Sequence, residues 1–106
     1  MIINFDRGVV YVDNVRYCFY EVSDNGSKDL QPGRYAVEAR YAHSFGRVLP
    51  HVAGYGWLGN DRSCAIVLGR VRSKSGLLPD EHIVQRLVSD IEAADEAGNA
   101  VLAEFV

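Results

Sequence analysis

One cysteine of this 106-residue chain stands where a nucleophile would be useful. Cys64 follows a glycine-rich segment holding Gly54, Gly56 and Gly59, and it opens a short apolar run, Cys64-Ala65-Ile66-Val67-Leu68-Gly69. A thiol where a loop meets a buried strand is held by the strand and can still face a cleft. The chemistry would be acyl transfer, in which a thiolate attacks a carbonyl. A thiol with its ordinary pKa of about 8.5 is only slightly ionised at neutral pH, so it needs a base within hydrogen-bonding reach. His43 and His51 both lie in the irregular stretch before Cys64, and His51 is the expected base. His82 falls in the first turn of a predicted helix, where the helix dipole disfavours its cation, and reads as a surface residue. The plainer reading of Cys64 is packing, because free cysteine is among the most buried residue types. Cys18, inside Tyr17-Cys18-Phe19-Tyr20, reads as core.

Arg47 and Arg62 flank the same segment. Arginine suits planar, bidentate binding of a carboxylate, although a solvated loop charge is the simpler reading of each. Tyr55 and Trp57 could line a pocket or anchor the loop. The glycines do not make a phosphate loop, since no GK[ST] follows them and they open no helix. Two cysteines without a CxxC spacing make no Cys₄ zinc site, and no metal or cofactor is expected.

The elements that must position these residues are short. Val9 to Asp13 and Val15 to Val22 read as strands joined at Asp13-Asn14. Ser23 to Gly33 reads as a loop and Arg34 to Tyr41 as a half-buried strand of alternating polarity. His43 to Asp61, with four glycines and a proline, reads as irregular. Cys64 to Gly69 reads as a buried strand. Ile83, Val84, Leu87, Val88, Ile91 and Ala94 form an apolar stripe at helical spacing, which predicts a helix from about Asp80 to about Ala97, stopped by Gly98. Val101 to Val106 returns as a strand. The fold class is mostly β (α+β), a small sandwich or barrel with one helix packed on the sheet near the C-terminus, in a single domain spanning residues 1–106.

Composition limits the function. With 48% hydrophobic and 24% charged residues, the chain is that of an ordinary globular domain rather than a disordered or fibrous one. A net charge of -3 argues against nucleic acid as a partner. The charge is uneven. Arg34 to Lys74 holds seven basic and two acidic residues, whereas Ser75 to Val106 holds seven acidic ones and only Arg86 as a base. Two faces that attract each other within the fold, or a basic groove for an anionic ligand, would each account for this. No apolar run approaches the roughly 18 residues that span a membrane, and Met1 to Asp6 lacks the pattern of a signal peptide. A cytoplasmic chain with reduced thiols is expected, one that would reach the cell wall only after release or injection.

The stretches Val10-Tyr11-Val12-Asp13 through Tyr17-Cys18-Phe19-Tyr20-Glu21, Leu30-Gln31-Pro32-Gly33-Arg34-Tyr35-Ala36-Val37 and Ser44-Phe45-Gly46-Arg47-Val48-Leu49-Pro50, followed by Gly59-Asn60-Asp61 and Ser63-Cys64-Ala65-Ile66-Val67-Leu68-Gly69, resemble a small domain family of phage and bacterial genomes that is similar to the L,D-transpeptidase catalytic domain. The resemblance implies a mostly β fold in which a His activates the Cys to form an acyl-enzyme on the peptide stem of peptidoglycan. This chain departs from the motif. Trp57 stands at the family's His position, Ser63 replaces the Gly before the Cys, and the loop from Asn60 to Cys64 is shortened. Trp cannot accept a proton, and loss of a general base costs about 10²–10⁴-fold in rate.

Three readings follow. The first is a non-catalytic or weakly catalytic domain that binds a peptidoglycan fragment or a protein partner through Trp57, Tyr55, Asn60, Arg62, Ser63 and Arg47. The second is an active cysteine acyltransferase or peptidase with Cys64 as nucleophile and His51 as base. The third is a structural component of a phage or secretion assembly. The oligomeric state is left open.

Overall fold

The computed structural model describes residues 1–23 and 31–106. Residues 24–30 of the expected Ser23 to Gly33 loop lie outside the described residues. Among the described residues, nine strands precede or follow a single helix: β1 (Ile2–Asp6), β2 (Val9–Val12), β3 (Val15–Val22), β4 (Gly33–Ala42), β5 (Arg47–Val52), β6 (Gly56–Gly59), β7 (Ile66–Ser73), β8 (Gly76–Pro79), α1 (Glu81–Glu96) and β9 (Leu102–Phe105). The expected mostly-β fold with a C-terminal helix is what the chain adopts.

Local chemistry fixes the hairpins. Arg7 and Gly8 join β1 to β2, and Asp13 and Asn14 join β2 to β3, each pair with positive φ. Two consecutive left-handed residues give the two-residue turn whose twist matches that of paired strands. Asp13 also accepts a hydrogen bond from the Ile2 N–H at 2.8 Å, tying this turn to the start of β1.

The strands close on themselves. The order is β3-β2-β1-β9-β4-β5-β6-β7, and β7 pairs back to β3 with Phe19 opposite Gly69 and Val22 opposite Ile66. The result is an eight-strand barrel, with β8 continuing along the far half of β7. Most neighbours are antiparallel; β1 with β9 and β6 with β7 are parallel. Closure removes sheet edges that would otherwise expose unpaired backbone groups. An aromatic cluster sits at the seam where the two chain ends meet. Phe5 of β1 stacks on Phe105 of β9 at 4.8 Å, Tyr20 of β3 meets Phe5 edge-on at 5.1 Å, and Tyr55 packs on Phe105 at 5.1 Å.

The helix starts as its sequence predicts. Asp80 is the N-cap and accepts from the His82 and Ile83 N–H groups at 2.9 and 3.3 Å. Gly98 takes φ +76° just past the last turn. Ile83, Val84, Leu87, Val88 and Ile91 are buried, and the helix lies mainly against β5 and β7.

Two expectations are corrected. The stretch His43 to Asp61 is not irregular: it contains β5 and β6, joined by a turn at Ala53–Tyr55 in which Gly54 takes φ +85°. Its glycines mark turns and close approaches rather than a shaped loop. Also, Cys64 does not open its strand; it lies in the turn before β7, which begins at Ile66. β1 and β8 carry no strong sequence signal and were not expected.

Phe105→Ala is expected to lower stability by about 3–5 kcal/mol, as loss of a buried aromatic does. Asp80→Ala, which removes only the cap, is expected to cost about 1 kcal/mol. Urea unfolding of both variants checks the ranking. Equal costs would mean that the aromatic seam does not anchor closure.

Candidate functional site

The turn between β6 and β7 is built from Asn60 to Ala65. Its geometry starts with Gly59. A Cβ on Gly59 would lie 2.5 Å from Cys64 Sγ, so the sulfur packs directly on the glycine backbone. The turn is then tied at three points. The Cys64 N–H donates to the Asp61 carbonyl at 2.9 Å, and the Ser63 N–H donates to Asp61 Oδ1 at 2.8 Å. From β3's end, the buried Ser23 hydroxyl donates to the carbonyls of Cys64 and, at 3.3 Å, Ala65.

Cys64 is fully buried (0% exposed). Burial pushes its thiol up from the ordinary value, and the Asp61 carboxylate acts in the same direction; the Asp61 backbone and the Arg47 charge oppose them. A raised thiol is a poorer source of thiolate. Cys18 is likewise buried, and burial, with a smaller contribution from Asp80, pushes it up to about 12. Both thiols are free.

His51 sits on β5, opposite Glu38 on β4 and Trp57 on β6. Its ring meets Trp57 edge-on, with centroids 4.7 Å apart. Partial burial, then the Arg40 charge, lowers its pKa, while Glu38 works against them. The neutral form of His51 is therefore favoured, and its ring is packed on an aromatic neighbour. Among the described residues no hydrogen bond joins it to Cys64, and it is not among the groups that shift that thiol. His43 is exposed and lies edge-on to Tyr41 at 4.9 Å; His82 is exposed on the helix.

The proposed binding residues divide. Arg47, Asn60 and Arg62 share an open cleft of about 570 Å³, together with Phe45, Asp61 and Glu81. Arg47 donates through Nη2 to Asn60 Oδ1 and through Nη1 to Glu81 Oε1 at 3.1 Å. Arg62 donates to Glu21 Oε2 at 3.1 Å and to the Leu77 carbonyl at 3.2 Å. The Ser63 hydrogen bonds, backbone first, hold Asp61 below the usual carboxylate range. Tyr55 and Trp57 are elsewhere. Tyr55 packs edge-on to Tyr35 at 4.9 Å and accepts from the Gln31 N–H at 2.6 Å, while Trp57 packs on His51. Both are anchors of the strands and turns they occupy.

Glu81 was not expected in the cleft. Sequence marks it only as an acidic residue of the first helical turn, and its 34-residue separation from Arg47 carries no local signal. Among the described residues, no group of three or more His, Cys, Asp or Glu side chains is placed to hold a metal ion, and no helix is long and apolar enough to cross a membrane. Comparison with protein-family models, with curated proteins and with solved structures finds no match to this chain.

The raised thiols make stability fall in alkali. Above about pH 9 the unfolded chain releases its cysteine protons while the folded chain keeps them, so the unfolded state binds fewer protons and unfolding becomes easier as pH rises. For Cys18 the loss runs from pH 9.0 toward about 12. Urea midpoints are therefore expected to drop between pH 8 and 10.5, and Cys18→Ala, although less stable at pH 8, is expected to show a shallower decline. In native protein at pH 7 to 9, iodoacetamide is expected to label Cys64 far more slowly than it labels the chain in urea. Fast native labelling would show that the thiol is reachable.

Proposed function

We propose that this chain is a non-catalytic binding domain whose ligand-facing surface is the cleft of Arg47, Asn60, Asp61, Arg62 and Glu81. The single observation that carries this reading is the pairing of a buried, unassisted Cys64 with a charged cleft directly above its turn. Acyl transfer needs a nucleophile that can touch a carbonyl and a base within about 2.6–3.2 Å of it. Cys64 has neither access nor such a partner among the described residues. The cleft carries both signs of charge on partly exposed groups: Arg47 and Arg62 against Asp61 and Glu81.

The ligand fitting that pattern is a short peptide bearing both a carboxylate and an amine. The arginines would take the carboxylate, exchanging part of their pairing to Asn60 and Glu21, and Asp61 or Glu81 would take the amine. A peptidoglycan stem peptide has this chemistry, which agrees with the resemblance to the L,D-transpeptidase domain. A domain of that ancestry, with Trp57 at the position of the base, would keep recognition while giving up the reaction.

The test is titration of the protein with the tetrapeptide L-Ala-γ-D-Glu-L-Lys-D-Ala, followed by calorimetry and by NMR shifts of the Asn60 to Ser63 amides. The all-L peptide runs beside it. Saturable binding with shifts in that turn, weakened about tenfold or more by Arg47→Ala or Arg62→Ala, is the expected result, since a charge-assisted hydrogen bond contributes roughly 1.5–3 kcal/mol. Preference for the stem peptide supports a cell-wall ligand; preference for the all-L peptide moves the assignment to a protein partner. Absence of binding overturns the cleft assignment. A peptidyl adduct on Cys64 seen by mass spectrometry overturns the non-catalytic part.

A further inference from the structure

β4 is longer than the strand beside it. On one edge its first half pairs with β9, from Gly33 opposite Phe105 to Ala36 opposite Leu102. The last bond on that edge is donated by the Val37 N–H to the Val101 carbonyl at 3.0 Å. β4 then runs on to Ala42, paired to β5 on its other edge only. In an antiparallel strand a residue's N–H and C=O point to the same side, and the side alternates along the chain. The Ala36 carbonyl accepts from Ala53 beyond β5, and Val37 faces Val101. Ala39 and Tyr41 therefore turn their N–H and C=O groups away from β5, and no strand of the described residues receives them. They form an open stretch of the β4 edge.

A groove of about 480 Å³ lies where β4 and the chain entering β9 diverge, with the last turns of α1 as its wall. That is within the range of small-ligand and peptide pockets. Its floor is apolar, with Val37, Ala39, Ile91 and Leu102, and its rim is acidic, with Glu38, Glu92, Asp95 and Glu96. The C-terminal end of α1 adds its negative dipole and has no basic residue in its last turn. A second copy of this chain would bring the same acidic helix end against its own.

We propose that this half-edge of β4 takes an extended basic segment of a partner protein by strand addition. The segment would exchange backbone hydrogen bonds with Ala39 and Tyr41, set small apolar residues on the groove floor, and place alternate lysines or arginines against the rim. The proposal is independent of the Arg47–Glu81 cleft, which it does not use.

The probe is a fluorescein-labelled, terminally blocked Lys-Val-Lys-Val-Lys peptide, with Glu-Val-Glu-Val-Glu as its counterpart, followed by anisotropy with the whole chain. The basic peptide is expected to bind saturably and the acidic one not at all. Glu92→Lys with Asp95→Lys is expected to weaken binding about tenfold or more, and added salt to weaken it further. Ala39→Pro removes an outward N–H that bonds to none of the described residues, and is expected to abolish binding while the thermal melt stays cooperative. If Ala39→Pro does not fold, hydrogen exchange on the unmodified chain decides: peptide is expected to protect the Ala39 and Tyr41 N–H groups. Failure of the basic peptide to bind, equal binding of both peptides, or binding without that protection overturns the proposal. Protection of the same groups by concentration-dependent self-association, with no peptide present, overturns it in favour of β4 pairing between two copies.

Discussion

The pairing of β3 with β7 is the constraint on which the rest of the structure depends. Without it the strands would form an open sheet with two long edges; with it they enclose one core. The pairing places Gly69 opposite Phe19, and at Gly69 a Cβ would collide with the Leu78 carbonyl of β8. A residue without a side chain thus lets β8 come close at the point where β3 also pairs with β7. Closure in turn sets where Ser23 falls at the end of β3, and Ser23 is what ties the Cys64–Ala65 backbone. The geometry of the candidate cleft is therefore inherited from a strand more than forty residues away in sequence.

The charge asymmetry resolves in the same long-range way. The basic middle and the acidic tail meet as Arg34–Glu104, Arg47–Glu81 and Arg70–Asp80. These partly exposed pairs contribute little each, on the order of 0–1 kcal/mol. Their effect is to fix position. Arg47 is held between Asn60 and the helix start, so its guanidinium stays over the turn, and Arg34 keeps the β4–β9 seam in register. The basic residues do not gather into one groove, which leaves the cleft mixed in charge.

What could be read in the sequence was what is encoded locally. The helix was legible because its stripe, its Asp80 cap and its Gly98 stop lie within twenty residues. The β2–β3 hairpin was legible because Asp13-Asn14 favours left-handed backbone. β5 and β6 were hidden because Pro50, Gly54, Gly56 and Gly59 mimic loop composition, although Leu49, Val52 and Leu58 are fully buried. β1 lies beside β9 because the chain ends meet, and no local pattern states that pairing. The cleft was legible in part: Arg47 and Arg62 stand out for their chemistry and Asn60 through the resemblance, whereas Glu81 enters it through the packing of α1 and Phe45 from the turn between β4 and β5. Tyr55 and Trp57 were aromatic for packing reasons that sequence cannot separate from binding.

The relation between Cys64 and the cleft follows from volume. Sulfur fits against Gly59 because the glycine has no side chain, and that contact lets the turn from Asn60 to Ser63 fold tightly over it. A tight turn raises Asn60, Asp61 and Arg62 to the surface and at the same time buries the thiol beneath them. Exposure of Cys64 would require the turn to lift, which would break the Cys64–Asp61 and Ser23–Cys64 hydrogen bonds and move Asn60 away from Arg47. In this arrangement the turn that forms the cleft also covers Cys64. The cysteine fills the space under the cleft, and the turn that buries it is the turn that brings Asn60, Asp61 and Arg62 to the cleft.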